Sequence, residues 1–368
     1  MIKKEIQIVA FNNPYPPNFG GAIDMFYKIK ALSELGVLIH LHVFYNKRED
    51  ISGLNSLCKT IHMYKSNKSL IKHLSLLPYC VNTRLSKELI NNLNKNKSPI
   101  IFESIRTTGG LIKNKFEQKT AIRCHNIEHD YSWGLFKSER NWFKKVAFLI
   151  EGYKLKYYEY ILNKTDFLLT LSYFEYSYYS KSFESKSFFL PVFHGNENVK
   201  GYDGFGKYAL YHGDLAISDN VKSAFFIISI FKDLKEELII ASSTKNTKLI
   251  NEISKYENIN FELIVNENQL KDLIKNAHIN VLYSFQKSGT KLKVFNALYI
   301  GRHCILNENI IDDSDILDIC EVATTKKEYQ KAVNKMFKIN FEVSQKRLDA
   351  LKKYGSKLNA EKLIEIIF

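Results

Sequence analysis

The chain has 368 residues, of which 45% are hydrophobic and 25% charged, with a formal net charge of +14. That length predicts two domains of ordinary size rather than one core, and the composition excludes a disordered chain. Five scattered cysteines, Cys58, Cys80, Cys124, Cys304 and Cys320, with no CxxC pair, exclude a disulfide scaffold or zinc knuckle and fit a reducing cytoplasm.

The excess positive charge admits three kinds of partner: nucleic acid, anionic lipid headgroups or phosphorylated small molecules. The lysines are dispersed and no nucleic-acid-binding signature accompanies them, so nucleic acid is set aside. Much of the excess reads as solvated surface.

The start, MIKKEIQIVAFNNPYPP, holds a short apolar run before a turn. It predicts a first strand, not a signal peptide, and no run approaches a membrane span. Ile6–Phe11 is that strand. The loop Asn12–Ala22 combines three prolines with Gly20 and Gly21, which lets backbone pass close to a ligand just before a helix N-terminus. It lacks GxGxxG, so no dinucleotide fingerprint is present. Ala22–Leu35 is predicted as a helix with Met25, Ile29 and Leu32 on one face and Gly36 as its stop. Val37–Phe44 follows as a strand, then Ile100–Glu103, Ala121–Cys124 and Phe167–Leu171. Strands alternating with helices predict a parallel sheet covered on both faces.

RCHNIEHD (123–130) follows one of these strands. His125, Glu128 and His129 match the H-x-x-E-H pattern of a metalloprotease, which needs both histidines on one helical face and a third ligand. His125 directly follows the strand-like AIRC, which predicts a loop instead. A zinc hydrolase using His125 and His129 is the rival this motif raises. Glu128 and Asp130 are placed to orient an acceptor hydroxyl or act as a base, or simply begin a solvated helix. Lys137–Leu162 is a long basic helix with Trp142, Phe143, Phe148, Leu149, Tyr153 and Tyr157. Such a helix suits either an anionic membrane surface or packing against the N-terminal sheet, and the second, ordinary reading is preferred.

Val192–Gly206 is glycine-rich and has the signature of a linker. Beyond it the plan repeats: strands at Tyr208–Tyr211, Glu237–Ala241, Asn260–Ile264, Asn280–Tyr283 and His303–Leu306. Helices are predicted at Asn220–Phe231, Glu267–Ala277 and Lys291–Ile300, and Ser344–Phe368 is predicted to be helical. The segment Ser284–Asn307 carries the strongest chemical signal. It reads as polar glycine loop, helix, Gly301 as C-cap, and strand. Gly289, Thr290, Lys291 and Lys293 at the helix front suit a phosphate or diphosphate, because free N–H groups, the dipole and two ammonium groups converge there. The alternative is a surface loop with solvated lysines.

PYPPNFGGA, RCHNIEHD, YHGDLAISDN and SGTKLKVFNALYIGR occur in that order along the chain. Together they resemble a GT-B glycosyltransferase, closest to the large retaining family 4. The resemblance spans nearly the whole chain. It implies an α/β fold of two Rossmann-like domains with parallel sheets facing across a cleft: 1–195 for acceptor binding, a linker at 196–206, and 207–345 for the nucleotide-sugar. A C-terminal helix at 346–368 would cross back to the first domain.

The implied activity is transfer of a hexosyl unit from a nucleotide-diphosphate sugar to a glycan or lipid-linked acceptor, in bacterial surface polysaccharide synthesis. No metal or cofactor is implied, and the implied location is cytoplasmic, at or near the inner membrane face. By resemblance Gly20 and Gly21 approach donor and acceptor, and His125 lies near the donor sugar; Asn126, with Glu128 and Asp130, is placed on the acceptor side. Gly213 ends the first strand of the nucleotide domain. Gly289, Thr290, Lys291, Leu292 and Lys293 hold the diphosphate, where fixed cations favour the departing anion. Four positions depart from the family pattern. Ser288 and Asn296 stand where two glutamates are usual, Asp214 where an arginine is, and Asp219 where a lysine is. These departures keep a non-catalytic GT-B relative, binding glycan or a partner, as a second reading.

Overall fold

Two parallel sheets organise the protein in a computed structural model that describes residues 4–368. Residues 1–3, at the head of the segment read as a first strand, lie outside the described residues. The chain divides into two units, one of Met1–Lys137, Asn141–Gly195 and Tyr354–Phe368, the other of Ser138–Arg140 and Asn196–Lys353.

In the first unit, seven strands run β1 (Glu5–Ala10), β2 (Leu38–Tyr45), β3 (Thr60–Lys65), β4 (Ile100–Glu103), β5 (Thr120–Cys124), β6 (Phe167–Thr170) and β7 (Ser187–Phe189). Their order across the sheet is β3-β2-β1-β4-β5-β6-β7, and each neighbouring pair is parallel. Alternation along β1 feeds both faces. Ile6, Ile8 and Ala10 enter one core with Met25, Ile29 and Leu32 of helix α1 (Gly20–Glu34), while Val9 enters the other. Gln7, polar yet fully buried, is accommodated because its amide donates to the carbonyls of Leu93, Asn96 and Ser98. The last helix, Ser356–Ile367, packs on α1 and adds Ala360, Leu363 and Ile367 to the same core.

In the second unit, six strands run β8 (Tyr208–His212), β9 (Leu238–Ser242), β10 (Ile259–Leu263), β11 (Ala277–Val281), β12 (His303–Leu306) and β13 (Glu321–Val322), ordered β10-β9-β8-β11-β12-β13. The pairs are again parallel. Both sheets therefore reverse strand order beside their first strand, between β1 and β4 and between β8 and β11. In such sheets ligands bind beyond the carboxyl ends of the strands at that reversal. Residues 196–206 lie against this unit: Lys200 N–H donates to Tyr299 O, and Gly204 bridges to Phe341.

Three expectations shift. The strand predicted at Asn280–Tyr283 is Ala277–Val281, because it is begun by Ala277 and the buried polar His278, whose ring is satisfied by Gly206 N–H and Met336 O. The long helix predicted over Lys137–Leu162 is broken into Glu128–Ser138, Trp142–Tyr158 and a 3₁₀ turn Glu159–Lys164. Asn141 caps the second piece through its side-chain oxygen and Lys144 N–H. Gly301 does end its helix, in extended backbone rather than left-handed. A side chain there would strike Asn280 Nδ2 at 2.4 Å, so close packing on β11 requires the glycine.

Candidate functional site

In the first unit, the carboxyl ends of β1, β4 and β5 bring together residues far apart in sequence. Asp24 and Lys28 lie one turn apart on α1 and are 0% exposed, as are Glu103 ending β4 and Arg123 within β5. Lys28 Nζ is 2.6 Å from Glu103 and 3.3 Å from Asp24. Arg123 makes a two-pronged contact with Asp24 at 2.9 and 3.1 Å and donates to the carbonyls of Leu190 and Pro191. Phe193 N–H adds a third donor to Asp24 at 2.8 Å. Burial would push both carboxyls up, but Arg123 and Lys28 hold Asp24, and Lys28 and His125 hold Glu103, below the usual carboxylate range. The four charges cancel, which is what lets them be buried.

His125, in the loop after β5, rests on this cluster. Its Nε2 is 3.0 Å from Glu103 and 4.0 Å from Asp24, and its ring meets Phe11 edge-on. With Nε2 donating to Glu103, Nδ1 is the ring atom left for a ligand. Asp24, Glu103 and His125 also approach one another closely enough to suit a cation. The ammonium of Lys28 already sits there, so the set is neutralised from within the chain.

Glu128 is engaged differently: it accepts from Ser104 Oγ at 2.7 Å and Arg106 at 2.8 Å and is held below the usual carboxylate range, burial being outweighed by Arg106. Ser104, at the end of β4, has φ +67°, a conformation rare outside glycine. His129 faces Glu159 and Trp133, away from His125, and Asp130 flanks it at 3.5 Å. The two histidines of H-x-x-E-H thus look into different surroundings. Asn126 offers its carbonyl to Tyr179.

The first loop is pinned rather than open. Arg48 donates to Asn18 at 2.6 Å and to Pro16 O, Asn13 donates to the carbonyls of Arg48 and Asp50, and Arg84 holds Phe11 O. Gly20 begins α1. Beside Gly21 the space is filled by the Phe11 ring, which a Cβ would meet at 2.5 Å; the glycine admits that ring.

In the second unit, β8 ends in buried His212, followed by Gly213, whose N–H bonds Ala241 O. Asp214 turns the chain, accepting from Ala216 N–H and Thr244 Oγ1 at 2.9 Å each. Asp219 is buried in the first turn of helix Ser218–Phe231. Its Oδ2 meets Ser284 Oγ at 3.1 Å, while Oδ1 has no hydrogen-bond partner among the described residues, nor does His212 Nε2. Lys293, first residue of helix Lys293–Ile300, lies over the Tyr211 ring at 5.0 Å. Burial pushes its ammonium down to about 8, with Asp219 pulling the other way. Burial, helped by the same ammonium, pushes His212 down to about 3, keeping it neutral.

Between β11 and this helix, Ser284 is pinned by Asn307 and Asn309, and Gly289 takes φ +76°. Lys291 Nζ donates to Gln286 O and Ser288 O at 2.7 and 2.8 Å, so it braces its own loop. Ser288 is buried; Thr290 and Leu292 are half-buried. Asn296 Oδ1 accepts from Asn196 at 3.0 Å. The far end of the helix is secured by buried Arg347, which donates to the carbonyls of Ala297, Leu298, Gly301 and Arg302. Sequence reading singled out neither Arg347 nor the group Asp24, Lys28, Glu103 and Arg123. A charged residue ending an otherwise apolar strand, as in IIFE and AIRC, was the available signal.

No family model matches the chain. A Klebsiella pneumoniae protein described as an uncharacterized 44.6 kDa protein in a cps region is 27% identical over 315 residues, covering 80% of each chain. The lipopolysaccharide outer core galactosyltransferase WaaB superposes with TM-score 0.66 and 13% identity over 99% of both chains. The E. coli trehalose-6-phosphate structure bound with UDP-2-fluoro glucose gives 0.62 and 10% over 98% of both. The protein has the GT-B glycosyltransferase fold.

Proposed function

We propose that the protein transfers a hexosyl unit from a nucleotide-diphosphate sugar to a glycan or lipid-linked acceptor, in synthesis of a bacterial surface polysaccharide. The observation that carries this reading is the end of β8 and the 284–293 loop, within a GT-B fold. There Lys293 stands with unpartnered Asp219 Oδ1 and neutral His212 at the carboxyl edge where such sheets bind ligands. The cps-region relative and the galactosyltransferase neighbour support the polysaccharide setting, and the neighbour bound with UDP-2-fluoro glucose supports the donor class.

Within the second unit, Lys293 and the amide groups of Gly289–Leu292 receive the diphosphate and stabilise the charge it gains as the glycosidic bond breaks. Lys293 stands in for the cation that the family pattern places at Asp219. Within the first unit, His125, oriented by Glu103, presents Nδ1 to a sugar hydroxyl or to the charge developing at the sugar. The family resemblance supports retention of configuration without a metal.

Titrating a panel of nucleotide-diphosphate sugars, read by thermal shift and then by product mass, tests the proposal. It predicts stabilisation by one nucleotide class and a product heavier than the acceptor by one hexosyl residue. Stabilisation without transfer to any glycan or lipid-linked acceptor would instead favour the non-catalytic relative, the reading that Ser288 and Asn296 in place of glutamates support.

A further inference from the structure

The first unit carries an apolar surface that the donor chemistry does not use. Leu70 and Ile71 are largely exposed, and Leu74 and Leu76 are 86% and 91% exposed. Helix Trp142–Tyr158 runs beside this segment: Lys154 Nζ donates to His73 O at 2.6 Å, and Glu151 accepts the N–H groups of Tyr79 and Cys80 at 2.8 and 2.9 Å. The helix buries Gly152, Leu155 and Tyr158. At the helical repeat, Phe143, Ile150 and Tyr157 fall on the opposite stripe, with Trp142 and Tyr153 adjoining it. Phe143 and Tyr157 are 84% and 81% exposed. The helix packs on the core through Leu155 and Tyr158, as the ordinary reading expects, but Trp142, Phe143, Tyr153 and Tyr157 stay exposed.

The charge around the stripe is predominantly positive, with Lys156 paired to Glu159 at 3.0 Å. Residues 65–76 and 142–157 contain seven lysines and one glutamate, and that glutamate is spent on Tyr79 and Cys80. A second copy of the chain would bring like-charged lysines face to face. Nucleic acid would leave four leucine and isoleucine side chains without a partner. An anionic lipid surface satisfies both features, because aliphatic groups enter the acyl boundary, Trp and Tyr rest at headgroup level, and lysines meet the phosphates.

We infer that residues 70–76 and the outward stripe of helix Trp142–Tyr158 form a docking surface for an anionic membrane. The surface goes beyond the proposed reaction and commits its acceptor to the membrane face.

Flotation with vesicles of phosphatidylcholine, alone or with about one-third phosphatidylglycerol, tests it on the whole chain. The protein is expected to float with the anionic vesicles, to be released near molar salt, and to stay behind with phosphatidylcholine alone. The double substitution Leu74→Ser, Leu76→Ser is expected to weaken binding by roughly tenfold or more. Both leucines are exposed, so the variant's melting temperature should match the parent's. Absence of binding to anionic vesicles, or equal binding by the variant, overturns the inference. So does a dimer in sedimentation that the variant abolishes. Nucleoside diphosphate binding, measured without vesicles, tests the donor site separately.

Discussion

Glu103 bridges Lys28 and His125, so its two oxygens serve different ends: one neutralises a buried ammonium, the other sets an imidazole. Removing it with Glu103→Ala leaves Lys28 short of a partner, and we expect a loss of about 3–5 kcal/mol in chemical denaturation. A loss below about 1 kcal/mol would contradict the buried-network account. Glu103→Gln keeps a hydrogen-bond acceptor for the ring and should lower kcat more than it raises KM, because the histidine's orientation and charge are what change. Asp24 and Glu103 are both held low, so the stability they contribute is fully present above the ordinary carboxyl range. It is lost as pH falls toward their folded values, and acid unfolding should begin at higher pH in Lys28→Met.

Lys293 titrates at the other extreme. Its ammonium is lost as pH rises through about 8, so nucleoside diphosphate affinity should fall across that range, and the fall should vanish in Lys293→Met. Of these residues, sequence singled out His125 and Lys293, which sit in recognisable motifs. Asp24 and Lys28 did not stand out, since an i,i+4 ion pair on a helix reads as a solvated edge. Only the closure of β4 and β5 over α1 shows that they are buried.

At the level of elements, the helix Lys293–Ile300 depends on a residue about fifty positions away. It has no basic residue in its own last turn, and Arg347 supplies the donors instead. Arg347→Met should destabilise the protein by about 3–5 kcal/mol, since several buried carbonyls lose a charged donor. It should also weaken nucleoside diphosphate binding through the displaced helix. Normal stability in urea titration would show that water replaces the guanidinium. Leu363→Ala, in the helix that closes on α1, is expected to cost about 2–5 kcal/mol, measurable in the same way. Most strands were legible because buried parallel strands are short apolar runs. Ala277–Val281 begins with Ala277 and His278 and contains Asn280, so its apolar signal is displaced to the residues after it. Thr60–Lys65, Ser187–Phe189 and Glu321–Val322 were not legible, because these edge strands are only partly buried and lack a continuous apolar run. The break after Ser138 was hidden because aromatic and basic residues continue through it with helical spacing, although Asn141 was a readable cap.

Across the whole molecule, each unit repeats one solution: a parallel sheet whose order reverses beside its first strand, with polar groups collected at the carboxyl edge. The repeated strand–helix alternation made that plan readable. The identity of the groups at each edge was only partly so, because it follows from register and crossover rather than from local pattern. The positive charge is distributed accordingly. Some lysines brace loops, as Lys291 does, one is half-buried near Asp219, and others gather around the exposed stripe of the first unit. The proposed function requires the second unit's 284–296 segment to receive a nucleoside diphosphate. Amide hydrogen exchange of that segment, with and without UDP, GDP and the other nucleoside diphosphates, tests it most directly. At least one of them should slow exchange across 288–296 in the parent and fail to do so in Lys293→Met. Unchanged exchange in that segment with every nucleoside diphosphate would contradict it.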